Sequence, residues 1–274
     1  MTDESRCSRI CGSGPQNLSA LWTHPMRMEN DVIDRKVVAI TGASSGIGRA
    51  TALHLSRNGA RVVLGARHEE GLRNLADEIT ATGGQAVYQL TDVSRRQDLE
   101  SLVALALQSF GRLDALFSNA GAMPIGPFDE LAVNDWETMV DVNIKGVLFG
   151  ISAALPVFRQ QGSGHFIHTA STAARKTVPN QVVYAATKAA VLAISDGLRQ
   201  ELAGHIRVST ILPGFTDTAF SEHVKSPKIR EQLQKAGEKF AMSPEAVARA
   251  VAYVLDQPED VNIGEITLRS KTQP

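Results

Sequence analysis

Short apolar runs alternate with longer amphipathic stretches along the chain from Lys36 onward. A short continuous apolar run is typical of a strand buried on both faces, whereas apolar residues that recur every three to four positions are typical of a helix. The pattern predicts strands at Val37–Thr41, Arg61–Ala66, Ala86–Leu90, Ala115–Phe117, His165–Thr169, Arg207–Ile211 and Glu265–Leu268. Helices are predicted between them, near residues 47–58, 69–82, 95–109, 134–160, 183–203 and 244–256.

This alternation predicts an α/β fold, a single-domain Rossmann-like doubly wound parallel sheet of about seven strands with helices on both faces. Residues 215–242 fit the alternation poorly and follow a strand end, where a segment covering a substrate would lie, so we predict a lid there. Residues 1–34 show no clear period, which predicts a mobile N-terminal tail before a catalytic domain at 35–274. Met26 and Met28 are alternative starts.

Composition narrows the classes of function. The 274 residues are 43% hydrophobic and carry a formal net charge of −1, so we expect neither a nucleic-acid partner nor a membrane partner. No apolar run approaches the ~20 residues needed to span a bilayer. Cys7 and Cys11 are the only cysteines, which predicts a reducing, cytoplasmic compartment. No histidine cluster or second cysteine pair completes a metal site, so no metal is expected.

A glycine-rich turn joins the first predicted strand to the first predicted helix. Such a turn lets a pyrophosphate approach backbone N–H groups at a helix N-terminus, which carries partial positive charge. The spacing differs from the GxGxxG fingerprint, and an ordinary strand–helix turn is the alternative interpretation. The candidate cofactor-binding residues here are Gly42, Ser44, Ser45, Gly46, Ile47 and Gly48.

The end of the second predicted strand bears on the choice of cofactor. An acidic residue usually holds the ribose 2′-hydroxyl of NAD at this point, but Ala66 stands there and Arg67 follows. The planar guanidinium of Arg67 suits a 2′-phosphate, although a solvated surface arginine is the alternative. We therefore predict NADP(H).

Tyr184 and Lys188 are four residues apart on a predicted helix and so share one face. A tyrosine phenol has a pKa of about 10, and a nearby ammonium together with a cationic nicotinamide would lower that pKa. A partly buried tyrosine beside a surface lysine is the alternative for this pair taken alone. Ser171 precedes Tyr184 by thirteen residues and lies just beyond a strand, so its hydroxyl could face the same crevice.

These motifs, in this order and spacing, resemble the classical short-chain dehydrogenase/reductases across residues 36–268. The glycine turn has the TGxxxGxG form of that family, and Tyr184 and Lys188 have its YxxxK form. The remaining matches are Asp92, Val93, Asn119, Ala120, Gly121, Asn143, Ser171, Pro213, Gly214, Thr216 and Thr218. Taken singly, Asp92 could equally be a helix cap and Asn119 a turn residue. Ser45 departs from members that carry a second basic residue in the glycine turn.

The resemblance implies a mechanism and a set of roles. NADPH would deliver a hydride to a carbonyl carbon while Tyr184 protonates the oxygen and Ser171 holds it. Lys188 would bind the nicotinamide ribose, and Asn143 would hold a water of a proton relay. Asp92 and Val93 would contact the adenine, and the segments Asn119–Gly121 and Pro213–Thr218 would line the cofactor.

The resemblance also implies a substrate class and an assembly. Residues 262–269 resemble an NADP-linked subgroup acting on small hydroxy acids, hydroxy amino acids or aldehydes, and the function predicted is interconversion of such an alcohol with its aldehyde or ketone. Substrate binding is assigned to Ser171 and Tyr184, with a pocket of Met123, Ala173, Phe215 and residues 215–242. Family members commonly assemble as tetramers through the two long helices, so we expect a homotetramer, with a dimer as second choice.

Two other functions remain open. A non-catalytic cofactor-sensing regulator could use the same fold, and so could an isomerase or lyase that holds its cofactor tightly. His165 and His168 flank one predicted strand, but Tyr184 already fills the acid/base role. Trp136 and Phe149 are expected in the core or at a subunit interface.

Overall fold

The computed structural model describes residues 33–218 and 224–273. Its strands are β1 (Val37–Thr41), β2 (Arg61–Ala66), β3 (Gln85–Leu90), β4 (Ala115–Ser118), β5 (His165–Thr169), β6 (Arg207–Pro213) and β7 (Glu265–Leu268). The helices are α1 (Gly46–Arg57), α2 (Glu69–Ala81), α3 (Arg96–Phe110), α4 (Val133–Val140), α5 (Gly146–Gln161), α6 (Val182–Glu201), α7 (Pro227–Phe240) and α8 (Pro244–Leu255). Short 3₁₀ turns lie at Phe128–Glu130 and Thr172–Ala174.

The strands form one parallel sheet of seven, in the order β3-β2-β1-β4-β5-β6-β7. The predicted doubly wound fold is therefore confirmed. The strand order reverses between β1 and β4, where successive connections cross to opposite faces of the sheet. In such sheets the crevice for a ligand opens at the carboxyl ends of the strands beside this reversal.

Alternate residues of β1 face two hydrophobic layers. Val38 and Ile40 belong to the layer that includes residues of α1, α2 and α8. Val37 and Ala39 belong to the opposite layer, with residues of α3 and α5. All four side chains are fully buried, which explains why this strand is a continuous apolar run.

The segment between β6 and α8 contains a helix, α7, that the apolar pattern did not predict. Pro227 at its start is compatible with the first helical turn, which needs no N–H donor from that position. Only Ile229 and Leu233 of this helix are buried and most of its other residues are polar, so it does not stand out as an apolar stretch. An isolated bridge between Thr216 and Met242 joins the two ends of the segment.

The helix predicted at 134–160 is one continuous helix from Val133 to Gln161, with a π-helical turn at Asp141–Lys145 between α4 and α5. By length and composition alone this helix could cross a membrane, since an 18-residue window has a mean hydropathy of 1.4. Ala154 and Phe158 of α5 are instead packed into the sheet layer. Only 28% of this 18-residue stretch is buried, so much of its apolar surface faces outward.

Most of the predicted N-terminal tail lies outside the described residues. Ile33 and Asp34 are described and belong to the body of the fold. Ile33 is 6% exposed within the hydrophobic layer of α1, and its carbonyl accepts a hydrogen bond of 3.0 Å from the Lys36 N–H.

Candidate active site

The turn after β1 is built so that only glycine fits at two of its positions. Gly42 has φ of 65°, in the left-handed region, and a Cβ there would lie 2.9 Å from the Cα of Ala120. A Cβ on Gly48, in the first turn of α1, would collide with the carbonyl oxygen of Gly42. The chain therefore turns sharply and begins α1 directly at the edge of the sheet.

Asn119 ties β4 to the end of β1. Its backbone N–H donates to Thr41 Oγ1 at 3.0 Å, and its Nδ2 donates to the Thr41 carbonyl at 3.1 Å. The Ala120 N–H donates to the same hydroxyl at 3.1 Å. These bonds make Asn119 a support of the glycine turn, and they place the segment that continues to Gly121 beside it.

The start of α1 offers backbone donors to the crevice. Ser45, at the helix N-cap, is exposed and makes no side-chain hydrogen bond to the first helical turn in the described structure. The N–H groups in the first turn of α1 are thus not capped by the Ser45 side chain. Across the crevice, Thr218 comes close enough that a Cβ on Gly46 would lie 3.0 Å from its Cγ2. The segment Pro213–Thr218 therefore faces the glycine turn.

The ends of β2 and β3 lie side by side. Ala66 is 7% exposed, and the next residue, Arg67, is exposed. Asp92 accepts hydrogen bonds from the Ser94 N–H at 3.0 Å and from Ser94 Oγ at 2.7 Å. Burial would raise the pKa of Asp92, but the Ser94 hydrogen bonds and the charges of Arg67 and Arg95 lower it below the usual value. Asp92 thus keeps its negative charge, which the positive charge of Arg67 helps to stabilise.

Val93 has a different environment. It is buried, and a Cβ on Gly146 would lie 2.9 Å from Val93 Cγ2, so this side chain holds the start of α5 against the end of β3.

Tyr184 and Lys188 project from α6 into the sheet edge and are both buried. Lys188 Nζ donates a hydrogen bond of 2.8 Å to the carbonyl of Thr169, the last residue of β5. The same nitrogen lies 5.9 Å from the centroid of the Tyr184 ring. Ser171, two residues past β5, is hydrogen-bonded to the Tyr184 side chain, and its Oγ also accepts the Ala173 N–H at 3.2 Å.

Burial changes the pKa values of both groups. It raises the pKa of Tyr184 to about 12, a rise that the hydrogen bond with Ser171 only partly offsets. It lowers the pKa of Lys188 to about 8, because the ammonium is removed from water. In the protein alone the tyrosine pKa therefore moves up, because desolvation outweighs the hydrogen bond with Ser171.

Asn143 lies in the π-helical turn and is 1% exposed. Its Oδ1 accepts the Ala122 N–H at 2.8 Å, and its Nδ2 donates to the Ala122 carbonyl at 2.9 Å and to Thr187 Oγ1 at 3.0 Å. The Thr187 hydroxyl in turn donates to the Tyr184 carbonyl at 2.7 Å. Asn143 therefore joins the segment after β4 to the turn of α6 that carries Tyr184.

The segment after β6 is held from the C-terminal side of the chain. The Gly214 N–H donates to the Leu268 carbonyl at 2.7 Å, and the Phe215 N–H donates to Gln273 Oε1 at 2.9 Å. Thr272 Oγ1 donates to the carbonyl of Lys239 in α7 at 2.8 Å. Sequence reasoning missed Gln273, because no motif or period marks a glutamine beyond the last strand.

His165 and His168 do not join the site. His165 Nε2 pairs with Ser209 Oγ and His168 Nδ1 with Ser195 Oγ, each at 2.8 Å. Burial lowers the pKa of both imidazoles, that of His168 to about 4, so both are neutral interior side chains. No group of three or more His, Cys, Asp or Glu side chains able to hold a metal ion occurs among the described residues.

The arrangement suits a dinucleotide bound along the carboxyl edge of the sheet. The tight glycine turn and the N-terminus of α1 fit a pyrophosphate, while Tyr184, Ser171 and Lys188 lie at the end of β5. The chemistry available there is proton exchange by a phenol assisted by a hydroxyl and an ammonium.

Comparison with known proteins agrees with this geometry. The family model described as short chain dehydrogenase matches residues 36–228. An uncharacterized oxidoreductase of Listeria innocua is 44% identical over 245 residues, covering 88% of this chain and 99% of its own.

Two solved structures show what similar chains bind. An alcohol dehydrogenase from the archaeon Thermococcus sibiricus, complexed with 5-hydroxy-NADP, is 32% identical with a TM-score of 0.79, over 88% of this chain and 99% of its own. A short chain dehydrogenase/reductase from Burkholderia phymatum, in complex with NAD, is 29% identical with a TM-score of 0.79, over 86% and 89%. Similar chains thus bind either nicotinamide cofactor.

Proposed function

This chain belongs to the short-chain dehydrogenase family and is an oxidoreductase, and we propose that it interconverts an alcohol and a carbonyl compound with NADP(H). The observation that carries the proposal is the meeting of Ser171, Tyr184 and Lys188, from two different elements, at the carboxyl end of β5. Asn143 supports the same turn of α6 through Thr187.

The side chains have complementary roles in carbonyl reduction. When bound, NADPH supplies the hydride to the carbonyl carbon. Tyr184 donates its phenolic proton to the carbonyl oxygen, while the Ser171 hydroxyl donates a hydrogen bond that holds this oxygen in place. With a pKa of about 12 in the protein alone, the phenol carries its proton throughout the neutral range and is ready to act as the acid.

Lys188 and Asn143 support this proton transfer. The Lys188 ammonium would bind the nicotinamide ribose and stabilise the phenolate that remains after the proton has left. Asn143 would hold a water of the relay that returns a proton to Tyr184. In alcohol oxidation the phenolate accepts the hydroxyl proton, and the same groups run the steps in reverse.

The preference for NADP(H) is supported by the end of β2. Ala66 supplies no carboxylate to repel a 2′-phosphate, and the exposed Arg67 can offer paired N–H donors to it. The pyrophosphate would lie against the residues Gly42, Ser44, Ser45, Gly46, Ile47 and Gly48, and the nicotinamide against Pro213, Gly214, Thr216 and Thr218.

We also propose a lid, an assembly and a compartment. The segment 215–242, which includes α7, would cover the substrate. The exposed apolar side chains Val140, Leu148 and Val182 on the two long helices support a homotetramer formed through those helices. A reducing cytoplasmic compartment is proposed from the cysteine content alone.

The test is NADPH oxidation over a panel of small aldehydes, ketones and keto acids. Tyr184→Phe should lower kcat by at least ~100-fold while NADPH binding survives, because the general acid is removed. Tyr253→Phe is the matched control. Because Tyr253 is 55% exposed on α8, this substitution should leave kcat unchanged.

The panel also separates the other functions. A cofactor-sensing regulator would bind NADPH without turnover, and an isomerase or lyase would convert substrate without stoichiometric consumption of NADPH. Near-normal turnover by Tyr184→Phe would show that Tyr184 is not the general acid.

A further inference from the structure

The turn of α6 that carries Tyr184 is held from two sides. On one side the Lys188 ammonium donates to the carbonyl of Thr169 in β5 at 2.8 Å. On the other side the Thr187 hydroxyl accepts a hydrogen bond of 3.0 Å from the Asn143 side chain. Lys188 is a proposed ligand of the cofactor, but Thr187 is 1% exposed and too deeply buried to touch one. The Thr187 hydroxyl can therefore influence a reaction only through its neighbours.

The donors around Asn143 leave its side-chain amide one orientation. The Ala122 N–H can only donate, so the amide atom that faces it at 2.8 Å is the oxygen. The amide nitrogen then donates to the Ala122 carbonyl at 2.9 Å and to Thr187 Oγ1 at 3.0 Å, which uses both of its N–H groups. Without the Thr187 hydroxyl, one N–H of a side chain that is 1% exposed would lose its partner.

The Thr187 hydroxyl passes this restraint to the backbone of Tyr184. Its single proton is donated to the Tyr184 carbonyl at 2.7 Å, so toward Asn143 the hydroxyl must act as the acceptor. A threonine hydroxyl in a helix often bonds a carbonyl three or four residues earlier, which ties it to its own helix only. Here the same oxygen also bonds a residue of the long helix from Val133 to Gln161. The position of the Tyr184 turn is therefore coupled to the π-helical turn that holds Asn143.

Building on the proposed function, we propose that Thr187 is a positioning residue, which holds the Tyr184 phenol in place by fixing its turn of α6 to Asn143. Proton transfer requires the phenol within hydrogen-bond distance of the substrate oxygen. A misplacement of about 1 Å can lower a rate by about 100-fold. The hydrogen bond between Tyr184 and Ser171 is the contact that a displaced turn would lengthen.

The first test is Thr187→Val, which keeps the branched shape of the side chain and removes the hydroxyl. With NADPH and the best carbonyl substrate of the panel, kcat should fall at least ~10-fold. The Kd for NADPH should change less than about twofold, because Thr187 is too buried to touch the cofactor. The solvent deuterium isotope effect on kcat should rise, because proton transfer from Tyr184 becomes slower relative to the other steps. Thr187→Ser, which keeps the hydroxyl, should restore kcat to within about threefold.

Ser195→Ala is the matched control on the same helix. Ser195 is buried about two helical turns beyond Lys188, and its hydroxyl donates to the Val191 carbonyl at 2.7 Å and pairs with His168 Nδ1 at 2.8 Å. It therefore makes the same two kinds of hydrogen bond as Thr187, but to neither Tyr184 nor Asn143. Both substitutions should lower the Tm, whereas only Thr187→Val should lower kcat. Equal losses of kcat would show a general loosening of α6 and would overturn the positioning role.

A crystal structure of Thr187→Val without cofactor gives a readout that does not depend on turnover. The distance between Tyr184 Oη and Ser171 Oγ should be longer than in the wild type, and an unchanged distance would overturn the inference. So would a wild-type kcat in Thr187→Val, or a lowered kcat without a larger isotope effect, while the proposed function would stand. If the folded wild type binds NADPH but oxidises it with no carbonyl compound of the panel, the proposed function falls and this inference falls with it.

Discussion

Removal of the Arg67 guanidinium should weaken the binding of NADPH and leave the binding of NADH nearly unchanged. Arg67 follows the buried Ala66 at the end of β2, and its charge is close enough to contribute to the lowered pKa of Asp92. The Asp92 carboxylate already accepts two hydrogen bonds from Ser94, so the guanidinium is not needed to satisfy it. Arg67→Ala should therefore leave the fold intact and remove a donor from the proposed 2′-phosphate site.

The size of the effect follows from the exposure of Arg67. A hydrogen bond to a charged group contributes about 1.5–3 kcal/mol, which corresponds to roughly 10- to 150-fold in affinity. Because Arg67 is exposed, water and salt screen the interaction, and we expect the lower end, about 10-fold for NADPH. NADH has no 2′-phosphate, so its affinity should stay nearly unchanged. Adding Ala66→Asp should introduce repulsion and reverse the preference.

The assay is the pair of dissociation constants for NADPH and NADH in wild type, Arg67→Ala and the double variant, at two salt concentrations. Arg73→Ala is the matched control, because Arg73 is exposed on α2, beyond the strand end. It should cause little change with either cofactor. Equal losses for NADPH and NADH in Arg67→Ala would refute recognition of the phosphate and would show that Arg67 supports the adenine or the fold.

Three further outcomes are expected. The kcat/KM for NADPH should fall as pH rises through about 8, because the Lys188 ammonium, with a pKa of about 8, loses its proton. Lys188→Arg should abolish this fall in kcat/KM. If the fall persists in the variant, it must be assigned to another group. Gln273→Ala removes the acceptor of the Phe215 N–H and should raise the KM for NADPH roughly three- to tenfold. Gln273→Glu, which keeps an acceptor, should restore the KM. An unchanged KM in Gln273→Ala would contradict this positioning role. Leu148 is 44% exposed on α5, so Leu148→Lys should dissociate the proposed homotetramer in light scattering, and a monomeric wild type at micromolar concentration would refute the assembly.

The repeating apolar runs were sufficient to predict the sheet. Four of the seven strands, including β1, have the predicted bounds. In β1 the reason is that residues buried on both faces of the sheet are apolar. The same periods predicted the long helix from Val133 to Gln161 to within one residue at each end, but they did not predict its π-helical turn, in which Asn143 makes hydrogen bonds across the fold.

The reacting residues were predictable because their types and intervals along the chain are characteristic. Ser171, Tyr184 and Lys188 were singled out because their types and spacing resemble the motifs of the short-chain dehydrogenase/reductases, and they lie together in the fold. Their pKa values were not predictable, because desolvation depends on what surrounds each group after folding. Burial raises the pKa of Tyr184 in the protein alone, whereas the lower pKa expected from the sequence requires both Lys188 and a cationic nicotinamide beside the phenol.

The surroundings of the site were decided by tertiary structure. Gln273 meets Phe215 across 58 residues of chain, and no local pattern encodes that contact. The hydrophobic cluster that includes Tyr184 joins Ile125 and Trp136 from segments that the linear pattern does not connect. Sequence determined the sheet and the reacting groups, because periodicity and motif spacing are local properties. Packing alone decided which side chains surround Tyr184, because that depends on which distant segments meet there.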